Sequence, residues 1–417
     1  MSKFSHLLKN HNFFFLWLGQ IISQIGDRLG QMALIGLVYL RFSGSTIQLA
    51  KILSFTIIPV FLIGPLAGAY VDRWDRRRTM YICDFLRAVL VFIIPFFFLS
   101  GQGILLIYFT IFLVFCLGRF FIPAKLSIIP ELVEEKDLVM ANSLVNTAGM
   151  IATFLGFGIS GIIVEHLGVK SGFYLDALSF LLSAILIFLI AQKKPSFKGL
   201  SKVGKEIVEV IRKSVLTEIK EGLFYFIEQK DLRFSAIIFF ILASSLGTFF
   251  VVSITFIQQV LNSATKDLGI LIMFLGIGLF LGSIIYGRFG QRISLHKIIA
   301  FSLILTGISL AAGVFLIYRF LDFRLAIATS ILLGILVSPT VIAVNTIVHR
   351  VSDNEMMGKV FSSLEIVMHL GFLLFMFISG WLARIFSSLA ILIFVGILLF
   401  ILGIISFIYH RKLPWLD

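Results

Sequence analysis

Gly64-Pro65-Leu66-Ala67-Gly68-Ala69-Tyr70-Val71-Asp72-Arg73-Trp74-Asp75-Arg76-Arg77-Arg78 changes solvent partway along its length. No residue up to Val71 carries a charge. From Asp72 onward every side chain except Trp74 does, and four of them are arginines. A chain reads this way where a lipid-embedded helix ends in water on the side of the membrane that retains Lys and Arg. Gly64 and Gly68, four residues apart, leave bare patches on one helix face where a second helix can approach closely.

The rest of the chain agrees with that edge. Of its 417 residues, 59% are hydrophobic and 14% charged, and 46 are Phe. Soluble domains carry about 25% charged residues, and a water-soluble fold could not hide this much apolar surface. Ordinary soluble enzymes and binding domains are therefore excluded. The formal net charge of +13 would suit a nucleic-acid partner, but the basic residues cluster between apolar runs. That position points to membrane lipids and to topology, with no nucleic acid. Cys83 and Cys116 lie in apolar runs and cannot make a disulfide framework.

Runs of about 20 apolar residues mark spanning helices. Twelve are predicted, at 13–39, 47–71, 79–99, 103–123, 141–164, 171–191, 232–260, 267–287, 297–318, 324–348, 360–382 and 386–408. They lack the alternation of a membrane barrel. With the N-terminus inside, only seven of the 35 basic residues fall in outside segments: Arg41, Lys51, Lys170, Lys266, Arg319, Arg324 and Arg384. An even number of spans places both termini in the cytoplasm. The expected domains are a six-helix bundle over 1–192, a cytoplasmic linker over 193–231 and a second six-helix bundle over 232–417. Within the linker, Val203, Ile207, Val210, Ile211 and Val215 recur at helical spacing, which predicts an amphipathic helix at the inner interface. Gly199, Gly204 and Lys205 approach a phosphate-loop pattern, but Glu206 stands where Ser or Thr is needed and no strand precedes it. The two halves echo one another. Pro123 and Pro339 sit 216 residues apart, as do Asp72 and Arg288, which suggests duplication of one bundle.

The opening stretch resembles the loop motif of the major facilitator superfamily of secondary transporters. Gly68, Asp72, Arg73, Arg76 and Arg77 match it, and Asp75 replaces a glycine. Within that superfamily, Trp17-Leu18-Gly19-Gln20, Gly26-Asp27, Glu131-Leu132-Val133, Ala141-Asn142-Ser143-Leu144 and Leu175-Asp176-Ala177-Leu178-Ser179-Phe180 are similar to bacterial efflux proteins of the macrolide-exporter type. Siderophore exporters and lysophospholipid transporters look similar in general design. One departure is Gly156-Phe157-Gly158-Ile159-Ser160-Gly161, which lacks the proline and one glycine of the drug-antiporter motif in span five. The resemblance implies an all-α membrane protein of 12 transmembrane helices in two six-helix bundles, the major facilitator fold. It also implies a gating motif at Gly64, Gly68, Asp72, Arg73, Arg76 and Arg77. On physical grounds alone, that loop could latch the halves on the inner side, or its arginines could simply fix topology.

A charge inside a span is costly unless paired or facing water. Asp27 and Arg28 lie near mid-depth of span one. Being adjacent, they diverge by about 100 degrees and do not suit each other as partners. Substrate contact, proton carriage and a structural pair with another helix are all open to them. Gln20, Gln24 and Gln31 share that span and are candidates for a cavity lining or for packing. Glu365 and His369, four apart in span eleven, share a face and could exchange a proton near neutral pH. Asp176, towards the outer third of span six, is a cavity or packing residue. Asp84 and Arg87 are placed near the inner end of span three, where they can pair locally. No HExxH, paired CxxC or GxSxG occurs, and no enzyme activity, metal or cofactor is expected.

The expectation is a secondary transporter of the bacterial inner membrane, monomeric, exporting an amphipathic small molecule with protons as a candidate coupling ion. Import of a lysophospholipid or metabolite by the same fold is the alternative, and a non-transporting receptor is a second one.

Overall fold

A computed structural model describes residues 3–42, 44–71, 74–98, 103–191, 230–290, 293–351 and 357–411. The linker helix expected within 193–231 falls outside these, as do Asp72 and Arg73. The chain is all-α, because a backbone in lipid must satisfy its own hydrogen bonds. Its helices are α1 (Lys3–Lys9), α2 (His11–Phe42), α3 (Thr46–Leu62), α4 (Gly64–Val71), α5 (Arg76–Ile93), α6 (Ile104–Leu132), α7 (Leu138–Leu167) and α8 (Val169–Phe188). Then come α9 (Lys230–Leu261), α10 (Lys266–Phe289), α11 (Leu295–Phe320), α12 (Phe323–Val351), α13 (Met357–Leu382) and α14 (Ser388–Arg411).

Among the described residues, ten helices are long and apolar enough to cross a membrane. The first two expected spans correspond to α2 and to α3 with α4, which stand outside the ten. Helix α2 has 32 residues but carries Asp27, Arg28 and three glutamines. The second expected span is broken rather than continuous. Its first piece, α3, contains Pro59 and ends after 17 residues, and α4 restarts at Gly64-Pro65. A proline removes one helical donor and crowds the preceding turn, and the residue before a proline avoids helical geometry. Two further edges move outward. Span four, expected to stop at Pro123, continues through Pro123 and Pro130 to Leu132. The extra turns bury Ile128 and Ile129 in an apolar cluster with Leu7, Phe13, Met80 and Ile187, which offsets the lost bonds. Span ten, expected through Pro339 to 348, ends three residues later at Val351.

The helices form two compact units, Met1–Leu37 with Ile52–Val215, and Val38–Lys51 with Leu216–Asp417. The second unit thus includes the end of α2 and the start of α3, where Thr46 Oγ1 donates to Thr255 Oγ1 at 3.1 Å. Gly44, with φ of 69°, makes the tight turn between those helices.

Each unit has the same internal pairing. In the first, α5 packs on α6 and α8, and α4 packs on α6. Helix α2 meets α7 and α8 through Gly149, Gly156 and Gly26. In the second, α11 packs on α12 and α14, α10 on α12, and α9 on α13 and α14. Counted within either half, the third helix touches the fourth and sixth, the second touches the fourth, and the first touches the fifth and sixth. The material of these seams differs. In the second unit, Gly278 and Gly334 bring α10 against α12, and Gly307 and Gly396 bring α11 against α14. These are the close backbone contacts that small residues permit in lipid. The matching α5–α8 seam of the first unit is built around charge.

Candidate functional site

Among the described residues, the buried Asp, Glu, Lys and Arg side chains are Asp84, Arg87 and Asp176. All three are in the first unit, on α5 and α8, and α2 brings Asp27 and Arg28 to the same place. On α2, Gln20, Gln24, Asp27 and Gln31 recur at three- and four-residue steps, so they share one face. Gln20 is buried. Gln24 lies over Gly149 of α7, and Arg28 lies over Gly156, with its guanidinium 4.9 Å from the Phe157 ring. The small residues of α7 thus make room for the long polar side chains of α2.

Arg87 is the hub. Its Nη2 donates to Asp27 Oδ1 at 2.8 Å, and its Nη1 lies 3.4 Å from Asp84 Oδ1. Its guanidinium stacks 3.9 Å from the centre of the Phe180 ring. Asp84 accepts a second bond, from Ser183 Oγ at 2.6 Å. Arg28 turns away from the hub and donates to Gln31 Oε1 at 2.8 Å. A planar guanidinium suits such a site, because its fork serves two carboxylates while its face packs on an aromatic ring.

Asp176 completes the cluster differently. It is 4% exposed, and its Oδ1 is buried without a hydrogen-bond partner among the described residues. It is pressed against α2 where Gly26 and Gly30 have no side chains: a Cβ at Gly30 would collide with Asp176 Oδ2, and one at Gly26 would collide with Ser179 Oγ. Asp27, Gln31 and Asp176 border a small cavity of about 30 Å3, walled otherwise by apolar side chains such as Val91, Ile111 and Phe173. That is room for about one water molecule.

The structure therefore gathers Asp27, Arg28, Gln31 and Asp176 into one site and adds Asp84 and Arg87 to it. The local Asp84–Arg87 pair was legible from sequence. The bond from Arg87 to Asp27 was not, because Asp84 and Arg87 read as inner and Asp176 as outer. Asp84 sits level with Ser183, and Asp176 is seven residues further along α8, about 10 Å away. The long Arg87 side chain and Asp27 lie between them. The signal in the sequence was Gly26 and Gly30, four apart and flanking the one acidic residue of span one.

The loop residues after α4 fold back on the first unit. Arg76 forms an ion pair with Glu131 at the end of α6. Arg77 donates to the Phe188 carbonyl at the end of α8, where a cation complements the helix dipole. Asp75 caps α5 by accepting from the Arg78 N–H at 2.8 Å. Gly64 has open space where a Cβ would stand, and the environment of Gly68 lies outside the described residues. Elsewhere, on α13, the His369 Nδ1–H donates to the Glu365 carbonyl at 2.8 Å, and the Glu365 side chain is exposed. A carbonyl only accepts, so Nδ1 carries the hydrogen.

A family model described as "Major Facilitator Superfamily" matches residues 16–261 and 234–415. The "Uncharacterized MFS-type transporter YkuC" of Bacillus subtilis (strain 168) is 26% identical over 359 residues, 85% of this chain and 81% of that protein. "Putative bacilysin exporter BacE" of Bacillus subtilis is 24% identical over 351 residues, 84% of each chain. Among solved structures, the nucleoside transporter NupG aligns over 95% of this chain and 99% of its own, with a TM-score of 0.73 at 12% identity. A bacterial homologue of the iron transporter ferroportin, in an inward-facing state, aligns over 96% of this chain and 99% of its own, with a TM-score of 0.73 at 12% identity. At such identities the structures speak for the fold alone. Of these names, one is that of an "MFS-type transporter" and one that of a "Putative bacilysin exporter", and none names macrolide export.

Proposed function

The chain belongs to the Major Facilitator Superfamily, and we propose that it exports an amphipathic small molecule by alternating access, in exchange for protons. It is a multi-pass membrane protein and a secondary transporter, and its work is moving a small solute rather than catalysis. The finer reading rests on one observation, the buried network in which Arg87 of α5 holds Asp27 of α2 and Asp84 of the same helix. A structural staple in lipid needs one acid and one base. This site holds three acids, Asp27, Asp84 and Asp176, and only Arg87 among its bases makes an ion pair with them, while Arg28 donates to Gln31 and Lys125 of α6 acts on Asp27 from a distance. A buried carboxylate without an ion pair of its own, as at Asp176, is expensive, and a proton taken up there removes that cost. Release of that proton changes which carboxylate Arg87 holds, and so biases the packing of α2 on α5 and α8. Coupling between a proton and helix packing is what an antiporter requires.

The remaining parts of the proposal follow from the sequence. They are twelve spans in two six-helix bundles, cytoplasmic termini, a monomer in the bacterial inner membrane, and a gate at Gly64, Gly68, Asp72, Arg73, Arg76 and Arg77. Glu365 and His369 are a second candidate proton site. Export is supported by the name of the BacE relative and by the resemblance to macrolide-exporter-type proteins. The test is flux in vesicles of both orientations, with macrolides, other lipophilic cations, siderophores and lysophospholipids as probes. Energised uptake of one class into inside-out vesicles supports export. Uptake only into right-side-out vesicles makes the protein an importer. No flux of any probe by folded protein favours a receptor.

A further inference from the structure

We infer that Asp176 is the residue that carries the coupling proton, held as a neutral carboxylic acid against Gly26 and Gly30 and exchanged through the small cavity it shares with Asp27 and Gln31. This deepens the proton-antiport reading and rests on it for its role in transport.

The assignment follows from what each acid already has. Asp84 is met by Arg87 and by the Ser183 hydroxyl. Asp27 is met by Arg87 at 2.8 Å. Arg28 donates to Gln31. Asp176 is thus the acid with no ion pair among the described residues, and its buried Oδ1 has no hydrogen-bond partner there. The charged groups acting on it are Asp27 and Arg28 from α2, and Asp84 and Arg87 from α5. On α6, Lys125 acts on Asp27 and makes no ion pair with any of the three acids among the described residues. A bare carboxylate deprived of donors is the form that burial penalises most, and the neutral acid avoids that cost.

The shape of the site agrees. Gly26 and Gly30 sit inside α2, where their N–H groups serve the helix, so they give the carboxyl space without a hydrogen bond. The cavity beside it, about 30 Å3, has room for about one water molecule. It suits a proton better than a metal ion, which needs several oxygen ligands. Gln31 Oε1 is engaged by Arg28, and the walls are apolar. In the exchange step, the O–H bond of Asp176 breaks, the proton passes to a water entering the cavity, and it leaves as hydronium. The electron pair stays on Asp176. The new carboxylate competes with Asp27 for the fork of Arg87, and α2 loses its tie to α5.

The test is infrared difference spectroscopy of the purified full-length protein in lipid nanodiscs, titrated with pH in choline buffer and without substrate. It reads the carbonyl stretch of a protonated carboxyl. The expected result is a buried-acid band in the wild type at neutral pH that is lost in Asp176→Asn and kept in Glu365→Gln. Should Asp176→Asn fail to fold, Asp176→Ser removes the same band. Asp27→Asn frees Arg87 to take Asp176, which favours the carboxylate, so the band should vanish at a pH lower by at least about one unit. The inference is overturned if the wild type shows no such band, if a folded Asp176 variant keeps it, or if Asp27→Asn does not move it. Loss of the band on adding sodium would overturn it in favour of a metal cation. Proton occupancy is read here without flux, so a failed vesicle assay leaves this result standing, and a failed spectrum leaves transport standing.

Discussion

Arg87 Nη2 stands 2.8 Å from Asp27 Oδ1, a bond between helices 60 residues apart in sequence. The same guanidinium reaches Asp84 one turn away and packs on Phe180 of α8. One side chain therefore ties three helices of the first unit together. The matching seam of the second unit is closed by Gly307 and Gly396 instead. A glycine seam is fixed by shape, whereas a charge seam can be rearranged by moving a proton.

Removing the hub strands two carboxylates. Arg87→Met is expected to destabilise the folded protein by about 3 kcal/mol, the usual cost of leaving a buried charge unpaired. Arg87→Lys should recover only part of this, since an ammonium has no fork to span Asp27 and Asp84. Thermal unfolding in detergent reads both, and a wild-type Tm for Arg87→Met would mean that the pairs carry no stability.

Gly30→Ala places a methyl on Asp176 Oδ2, while Gly64→Ala meets nothing within 4 Å. The first should cost about 1–3 kcal/mol through overpacking and reduce flux. The second should be close to neutral in stability. Equal Tm values for the two variants would show that the Asp176 carboxyl is free to move aside.

Arg76 and Glu131 pair with side chains 34% and 49% exposed. Solvent screens such a pair, so a double-mutant cycle on unfolding should return a coupling of about 1 kcal/mol or less. A larger effect of either variant on flux than on stability supports the gate. A loss of flux that merely tracks stability would reduce the loop to a topology signal.

These sites differ in how far the sequence disclosed them. Helix class and the ten helices apolar enough to cross a membrane were legible, because lipid demands continuous apolar runs and charges mark their ends. The helix edge at Pro123 was not, because burial of Ile128 and Ile129 carries the helix past a proline. Asp84 and Arg87 were readable as neighbours one turn apart. That Arg87 also meets Asp27 depends on which helices adjoin, which local spacing does not encode. Asp176 read as a cavity or packing residue, and only the bare faces of Gly26 and Gly30 hinted at what lies against it.

On α13, His369 Nδ1–H donates to the Glu365 carbonyl, which places the imidazole over the preceding turn of the same helix. If this face carries a proton, His369→Gln changes the pH dependence of flux. A pH profile identical to wild type would remove the pair as a proton site and leave the first unit as the coupling half.

The central claim is that Asp27, through Arg87, links proton movement to solute movement. The most direct measurement records internal pH in proteoliposomes bearing an imposed proton gradient, while the same panel of macrolides, lipophilic cations, siderophores and lysophospholipids is added. The account predicts substrate-triggered proton movement in the wild type, abolished in folded Asp27→Asn. Substrate flux with no proton movement, or proton movement unchanged in Asp27→Asn, would contradict it.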